Sequence, residues 1–259
     1  MMFIGILATL RLLSVVSAVS NDNVQNSTPE ISLTPTEKAS PSTLCLAEHP
    51  GVSRFFNQNR FHEIFPNAIE LYTFNGLVNA ANQYLEFANT GNETNDKREL
   101  AAFLAQMAHE SDNFKAAEEY GHENYTVWQY CDNTTYPCVP GRRYHGRGPI
   151  QLSWNYNYYN AGNALGIDLL TNPDTVATNT TVAWMTALWY WMTPQAGRVI
   201  HDVVSGINGF AISTDIINGG LECGPNAPNK RSELQRMSYF TQMCDVLGVQ
   251  PLGNISCNE

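Results

Sequence analysis

Three glutamates stand close together in "AQMAHESDNFKAAEEYGHENY" (105–125): Glu110, Glu118 and Glu119, with His109 and His122 beside them. Such a group can be a solvated helix end, part of a metal site, or a pair of carboxylates for acid–base work. On a helix advancing about 100° per residue, Leu100, Phe103, Leu104 and Met107 share one face. Glu99, Gln106 and Glu110 fall on one polar stripe, and Glu110 borders the apolar face. A carboxyl held there is partly desolvated, which raises its pKa, as a general acid requires. A helix-end glutamate in water would account for the same residue without chemistry. Glu119 follows nine positions later, on the opposite side of any continuous helix. "SDN" (111–113) continues a helix poorly, so a turn there could bring the second carboxylate across a cleft. Two carboxylates facing each other in this way meet the requirement for glycoside hydrolysis. Glu118 is as acidic as Glu119, and residue types alone do not choose between them.

Other chemistries fit less well. His109 and Glu110 begin something like a zinc-protease motif, but Asn113 stands where the second histidine belongs. His122 and His145 keep no regular ligand spacing with them, so neither a metal nor another cofactor is expected. Ser153 lies in "QLSWN" rather than a nucleophile elbow. The net charge of −10, with only 15% charged residues, offers no basic patch and excludes nucleic acid as a partner. A neutral or cationic ligand suits this surface better than a polyanion.

The elements that would position these groups are mostly helical. Apolar spacing and propensity predict helices over 74–88, 97–110, 181–192 and 233–249, the last stopped by Gly248. The aromatic run in 181–192 reads as core. "PGRRYHGRGPIQLSWNYNYY" (140–159) is punctuated by Gly and Pro and predicts loops with short strands. The fold class is therefore mainly α (α+β) with a small β element. Residues 1–20 read as a secretory signal peptide, since their apolar run is too short and interrupted for a membrane span. Residues 21–43 form a Ser/Thr/Pro-rich flexible leader, and 44–259 one folded domain. Sequons at Asn26, Asn92, Asn124, Asn133, Asn179 and Asn254 agree with an extracellular glycoprotein. Six cysteines in such a chain predict disulfides, and Cys131 with Cys138 closes the shortest loop.

The segment "HGRGPIQLSWNYNY" (145–158) resembles the signature of the glycoside hydrolase family 19 chitinases almost throughout. "AAFLAQMAHES", "ALGIDLLTNPDTVAT", "TALWYWMTPQ", "INGGLECG" and "CDVLGV" extend the resemblance over roughly 95–257. It implies a mainly helical, two-lobed, lysozyme-like fold and hydrolysis of β-1,4 bonds between N-acetylglucosamine units with inversion. The family's acid falls on Glu110. In short-looped forms its base falls on Glu119, with Glu118 the neighbouring possibility. "WQYCDNTTYPC" lacks the glutamate that long-looped plant forms carry there, which favours the short-loop arrangement. Ser153 matches the water-positioning serine, and Gln151, Tyr156, Asn157 and Asn218 match sugar-binding positions. Glu222 and Arg236 resemble a pair that sets the charge around the acid; a structural salt bridge is the alternative. Trp154 and Tyr158 read as packing residues. The resemblance further implies a Cys223–Cys257 bridge, leaving Cys45 and Cys244 as a third. This chain departs from many relatives in reading "HESDNF" where they continue with glycines and an aromatic, a change expected to alter how the Glu119 loop swings.

The expectation is a secreted, monomeric, inverting endochitinase acting on chitin or chitooligosaccharides, with no nucleic-acid or membrane partner. No recognised carbohydrate-binding module is present, so weak binding to insoluble chitin is expected. A lysozyme-like muramidase and a non-catalytic chitin-binding protein are the alternatives.

Overall fold

The computed structural model describes residues 49–258. The predicted signal peptide and leader, Asn26 and Cys45 lie outside the described residues. Ten helices and one short 3-10 turn make up the regular structure among those described. The β content is reduced to isolated bridges, Glu118 with Arg147, Arg147 with Leu152, and Gln195 with Arg198.

The central element is the helix Glu93–Glu110 (α4, after α1 at Val52–Phe55, α2 at Gln58–Ile64 and α3 at Phe74–Ala81). It begins earlier than its propensity predicts because the Asn92 side chain accepts the Asn95 N–H and Lys97 pairs with Glu93 at 2.6 Å. Leu100 to Ala108 are buried without a break. An element apolar on nearly every side must be covered on every side. The helix Lys230–Leu247 (α10) lies along it, and Ile200–Val204 (α8) and Thr180–Met192 (α7) pack nearby. Phe103 sits edge-on to Trp191 at 5.2 Å and to Phe87 at 4.9 Å. The aromatic run of α7 is core as predicted, with Trp184, Leu188 and Trp191 fully buried.

Glu99, on the polar stripe of α4, is buried and fully employed. Its carboxylate accepts from Trp191 Nε1 (2.9 Å), Ala88 N (2.9 Å) and His201 Nδ1 (2.6 Å), joining α4, α7, α8 and the turn after α3. That turn explains why α3 stops at Ala81 rather than running to residue 88. Gln83 and Tyr84 tighten into bonds to the carbonyls three residues back, and Ala88 takes a left-handed φ of 49° to reach Glu99.

Two further differences concern 140–159 and the C-terminus. The chain runs as loop to Trp154, but Asn155–Leu165 then forms a helix (α5) rather than a strand. Its Asn- and Tyr-rich sequence has weak propensity, and packing decides it: Tyr158, Ala161 and Gly162 are buried on one face. Helix α10 ends on Gly248 in the left-handed region (φ 63°), as predicted. Thr175–Thr178 (α6) and Gly209–Glu222 (α9) complete the set. Disulfides join Cys131 to Cys138 and Cys223 to Cys257. Cys244 is buried in α10 and unpaired among the described residues. No described helix is long and apolar enough to cross a membrane.

Candidate active site

Glu110 is the last residue of α4, and the chain reverses directly behind it. Asp112, Asn113 and Phe114 all take left-handed conformations, with φ of 49°, 59° and 62°. For residues with a Cβ this costs roughly 1–2 kcal/mol each, somewhat less for Asp and Asn. Two features hold the turn. The Ser111 hydroxyl donates to Met107 O (2.7 Å) and accepts from Phe114 N (3.1 Å). Phe114 is fully buried against Phe65, Tyr72 and Trp184, a burial worth about 1.5–3 kcal/mol. The reversal expected at "SDN" is thus made without glycine.

Arg236, fully buried on α10, gathers the groups around Glu110. Its guanidinium donates to both Glu222 oxygens (2.8 and 2.9 Å), to Gln106 Oε1 (2.7 Å), and through Nη2 to Glu110 Oε1. Gln106 passes the network on to Ser213 and Thr214. Asn218 sits at a kink in α9 (φ −150°, ψ 29°), and its amide donates to Glu222 Oε1 at 2.7 Å. Burial pushes the Glu110 carboxyl above its ordinary value; the Arg236 charge opposes the shift without cancelling it, and Glu222 adds to it. His109, next in sequence, is held down to about 3 by burial and by the same arginine.

The second carboxylate pair lies on loops. Residues 117–119 run beside 146–152: Glu119 N donates to Gly146 O (2.8 Å), Gly148 N donates to Ala117 O (2.9 Å), and Arg147 and Leu152 exchange backbone bonds. Glu119 and Glu118 have different surroundings. The Glu119 carboxylate accepts from Tyr125 OH (2.8 Å), Tyr130 OH (2.9 Å) and Gly146 N (3.2 Å). Burial and that carboxylate push the Tyr125 phenol up to about 12, so it remains a donor. Glu118 instead meets His145 Nε2 and Arg147 Nε, each at 3.0 Å. Burial alone would raise the Glu118 carboxyl, but His145, Arg147 and His122 together hold it below its ordinary value.

Ser153 lies on the same strip as Gly146. Its hydroxyl donates to Gln151 O (2.9 Å), and its carbonyl accepts from Asn157 Nδ2 (2.9 Å). Gln151 (φ 50°) and Trp154 (φ 77°) both hold left-handed backbone, and such strain concentrates at functional sites. Gln151, Tyr156 and Asn157 are each half-buried. Trp154 packs on Tyr130 at 5.4 Å and stacks on Tyr156 at 5.7 Å. Tyr158 is buried, donates to His145 O (2.8 Å) and accepts from Arg147 (3.0 Å).

Sequence reasoning did not single out Tyr125 or Tyr130, whose role depends on a loop conformation that leaves no periodic signal. Gln106 was visible only as a member of the Glu99–Glu110 stripe. It also gave no reason to join Glu118, His122 and His145, which the fold gathers into one cluster.

A mainly helical scaffold carrying one carboxylate at a buried helix end and a second on a tyrosine-lined loop is that of the lysozyme-like fold class. Solved structures agree with it. The chain is 42% identical to chitinase C from Streptomyces griseus HUT6037, with a TM-score of 0.71 over 78% of this chain and 79% of that one. It is 35% identical to a class IV chitinase of the same glycoside hydrolase family from Zea mays, with a TM-score of 0.68 over 79% of this chain and 98% of that one. The family model described as chitinase class I matches residues 55–257, and the chain belongs to that family, glycoside hydrolase family 19. An endochitinase from Pisum sativum is 40% identical over 211 residues, which are 73% of this chain and 65% of that protein. The chain thus spans a little under two thirds of that relative's length.

Proposed function

We propose that the protein is a secreted, monomeric endochitinase that cleaves β-1,4 bonds between N-acetylglucosamine units of chitin or chitooligosaccharides with inversion. The observation that carries this reading is Glu110: a carboxyl whose pKa burial raises, at the end of a buried helix, facing solvent on one side and Arg236 on the other. A group kept protonated toward neutral pH can donate its proton to the leaving oxygen. Glu119 acts as the base on water. Its two phenols and one backbone N–H fix the carboxylate while leaving acceptor capacity for a water proton. Glu118 is excluded from this role by its engagement with His145 and Arg147. Ser153 positions the water, and Gln151, Tyr156, Asn157 and Asn218 supply neutral donors and acceptors suited to N-acetyl sugars. Glu222 and Arg236 tune the acid. Exposure of the sequon residues Asn92, Asn124, Asn133 and Asn179 is consistent with glycosylation in a secretory route.

The test is hydrolysis of soluble chitin oligomers by wild type and Glu110→Gln. The variant is expected to lose at least about a hundredfold in rate. Near-full activity would sink the assignment of the acid. NMR of the first-formed product should show the α-anomer; a β-anomer would overturn inversion. Running peptidoglycan beside chitin separates this activity from a muramidase, and binding without hydrolysis would point to a non-catalytic protein.

A further inference from the structure

Glu118, His122 and His145 each turn one ligand-type atom toward a common point, with the three atoms within 4.8 Å of one another. We propose that these residues bind one dication of the Zn2+ class beside the loop that carries Glu119.

Two imidazoles and one carboxylate form a donor set that zinc takes when one coordination position is left open. At bonds of about 2.0–2.2 Å, tetrahedral ligands stand roughly 3.3–3.5 Å apart, so the groups need close by only about 1.5 Å. Glu118 and His122 are free to do so, since their side chains are 34% and 30% exposed, whereas His145 is held at 4%. The two imidazole rings already lie parallel, 4.2 Å apart and 14° from coplanar.

The hydrogen bonds around the cluster orient it for ligation. His122 Nδ1 lies 2.7 Å from Glu119 O, and a carbonyl only accepts. Nδ1 therefore carries the proton, and Nε2 presents its lone pair toward Glu118 Oε2 at 3.9 Å. A ring N–H given to a backbone carbonyl is the arrangement that fixes metal-binding histidines. Glu118 divides its oxygens in a corresponding way. Oε1 is taken by Arg147 Nε and His145 Nε2, while Oε2 has no hydrogen-bond partner among the described residues. A metal on Oε2 leaves Arg147 bonded to Oε1, as ligating carboxylates usually are. His145 must yield its Nε2 proton and carry it on Nδ1 instead, a tautomer change that leaves the ring neutral. The remaining charges facing the cluster balance: Glu123 and Asp174 oppose Arg142, Arg143 and Arg147, and with Glu118 the six cancel. The pocket they line gives solvent access to the open position.

The site holds whichever neighbouring carboxylate is the base, because metal binding is read without substrate. Calorimetric titration of the intact protein with Zn2+ near neutral pH should give one saturable site per chain and a raised Tm. Glu118→Gln and His122→Ala change exposed side chains, and circular dichroism checks that each folds. Each should weaken Zn2+ binding by at least about tenfold. Co2+ in place of Zn2+ should give the visible bands of a low-coordinate nitrogen–oxygen site, lost in His122→Ala. No saturable binding in wild type, or binding that both folded variants retain, would overturn the proposal.

Discussion

The two proposed catalytic carboxylates are held by opposite means. Glu110 sits on regular helices, and its surroundings are one buried ionic hub in which Arg236 serves Glu110, Glu222 and Gln106 at once. Glu119 sits on a loop stitched to another loop by backbone bonds, phenols and left-handed turns. The helical side is rigid and dry, so it can shift a pKa. The loop side is half-exposed and polar, so it can admit water and sugar. A site that must donate a proton at one point and activate a water at another benefits from having both.

The strongest way to break the comparison is to empty the hub. Arg236→Met leaves Glu222 buried without its cation and should destabilise the fold by about 3–5 kcal/mol, read as a loss in denaturant unfolding. A loss under 1 kcal/mol would mean that the hub is not what holds α4, α9 and α10 together. On the loop side the expected effect is smaller and falls on rate instead. Tyr130→Phe removes one bond to the Glu119 carboxylate and should lower kcat on chitin oligomers by about tenfold, a bond to a charged group being worth roughly 1.5–3 kcal/mol. Unfolding should change little. If Tm fell as far as in the arginine variant, the loop would be structural in the same sense as the hub.

Glu222→Gln sharpens the comparison through pH. The acid works protonated, so the rate falls as pH rises through the pKa of Glu110. Glu222 raises that pKa, so its neutralisation should move the alkaline limb of kcat to lower pH. A limb that stays in place or moves up would show that Glu222 acts only on Arg236. The smallest effect is expected at the far end of α4. The hydrogen bond from Glu99 raises the His201 pKa above 6.5 against the pull of burial. A histidine raised in the folded state stabilises fully below its unfolded pKa and loses that contribution as pH rises through the folded value. Tm should therefore fall from pH 6 towards 8 more steeply in wild type than in His201→Gln.

Much of the helical side was readable from local sequence. An alanine-rich stretch apolar on all faces has to be buried, so α4 and the placement of Glu110 at its end follow from periodicity. The stop at Gly248 and the reversal at "SDN" follow from backbone preference. The loop side was less readable. Asn155–Leu165 carries weak propensity and becomes helical through packing, and the short strands expected before it shrink to isolated bridges.

By itself, then, the sequence determined which residues are present in the family's motif and which helix carries the acid, because both depend on neighbours a few positions away. The tertiary structure decided what surrounds each group. Arg236 meets Glu110 across 126 positions, and His145 meets Glu118 across 27. The same folding gave Glu119 its phenols and Glu118 its cations, and distinguished two adjacent carboxylates that composition left equivalent. Electrostatic environment is a property of distances in space, and no local pattern encodes those distances.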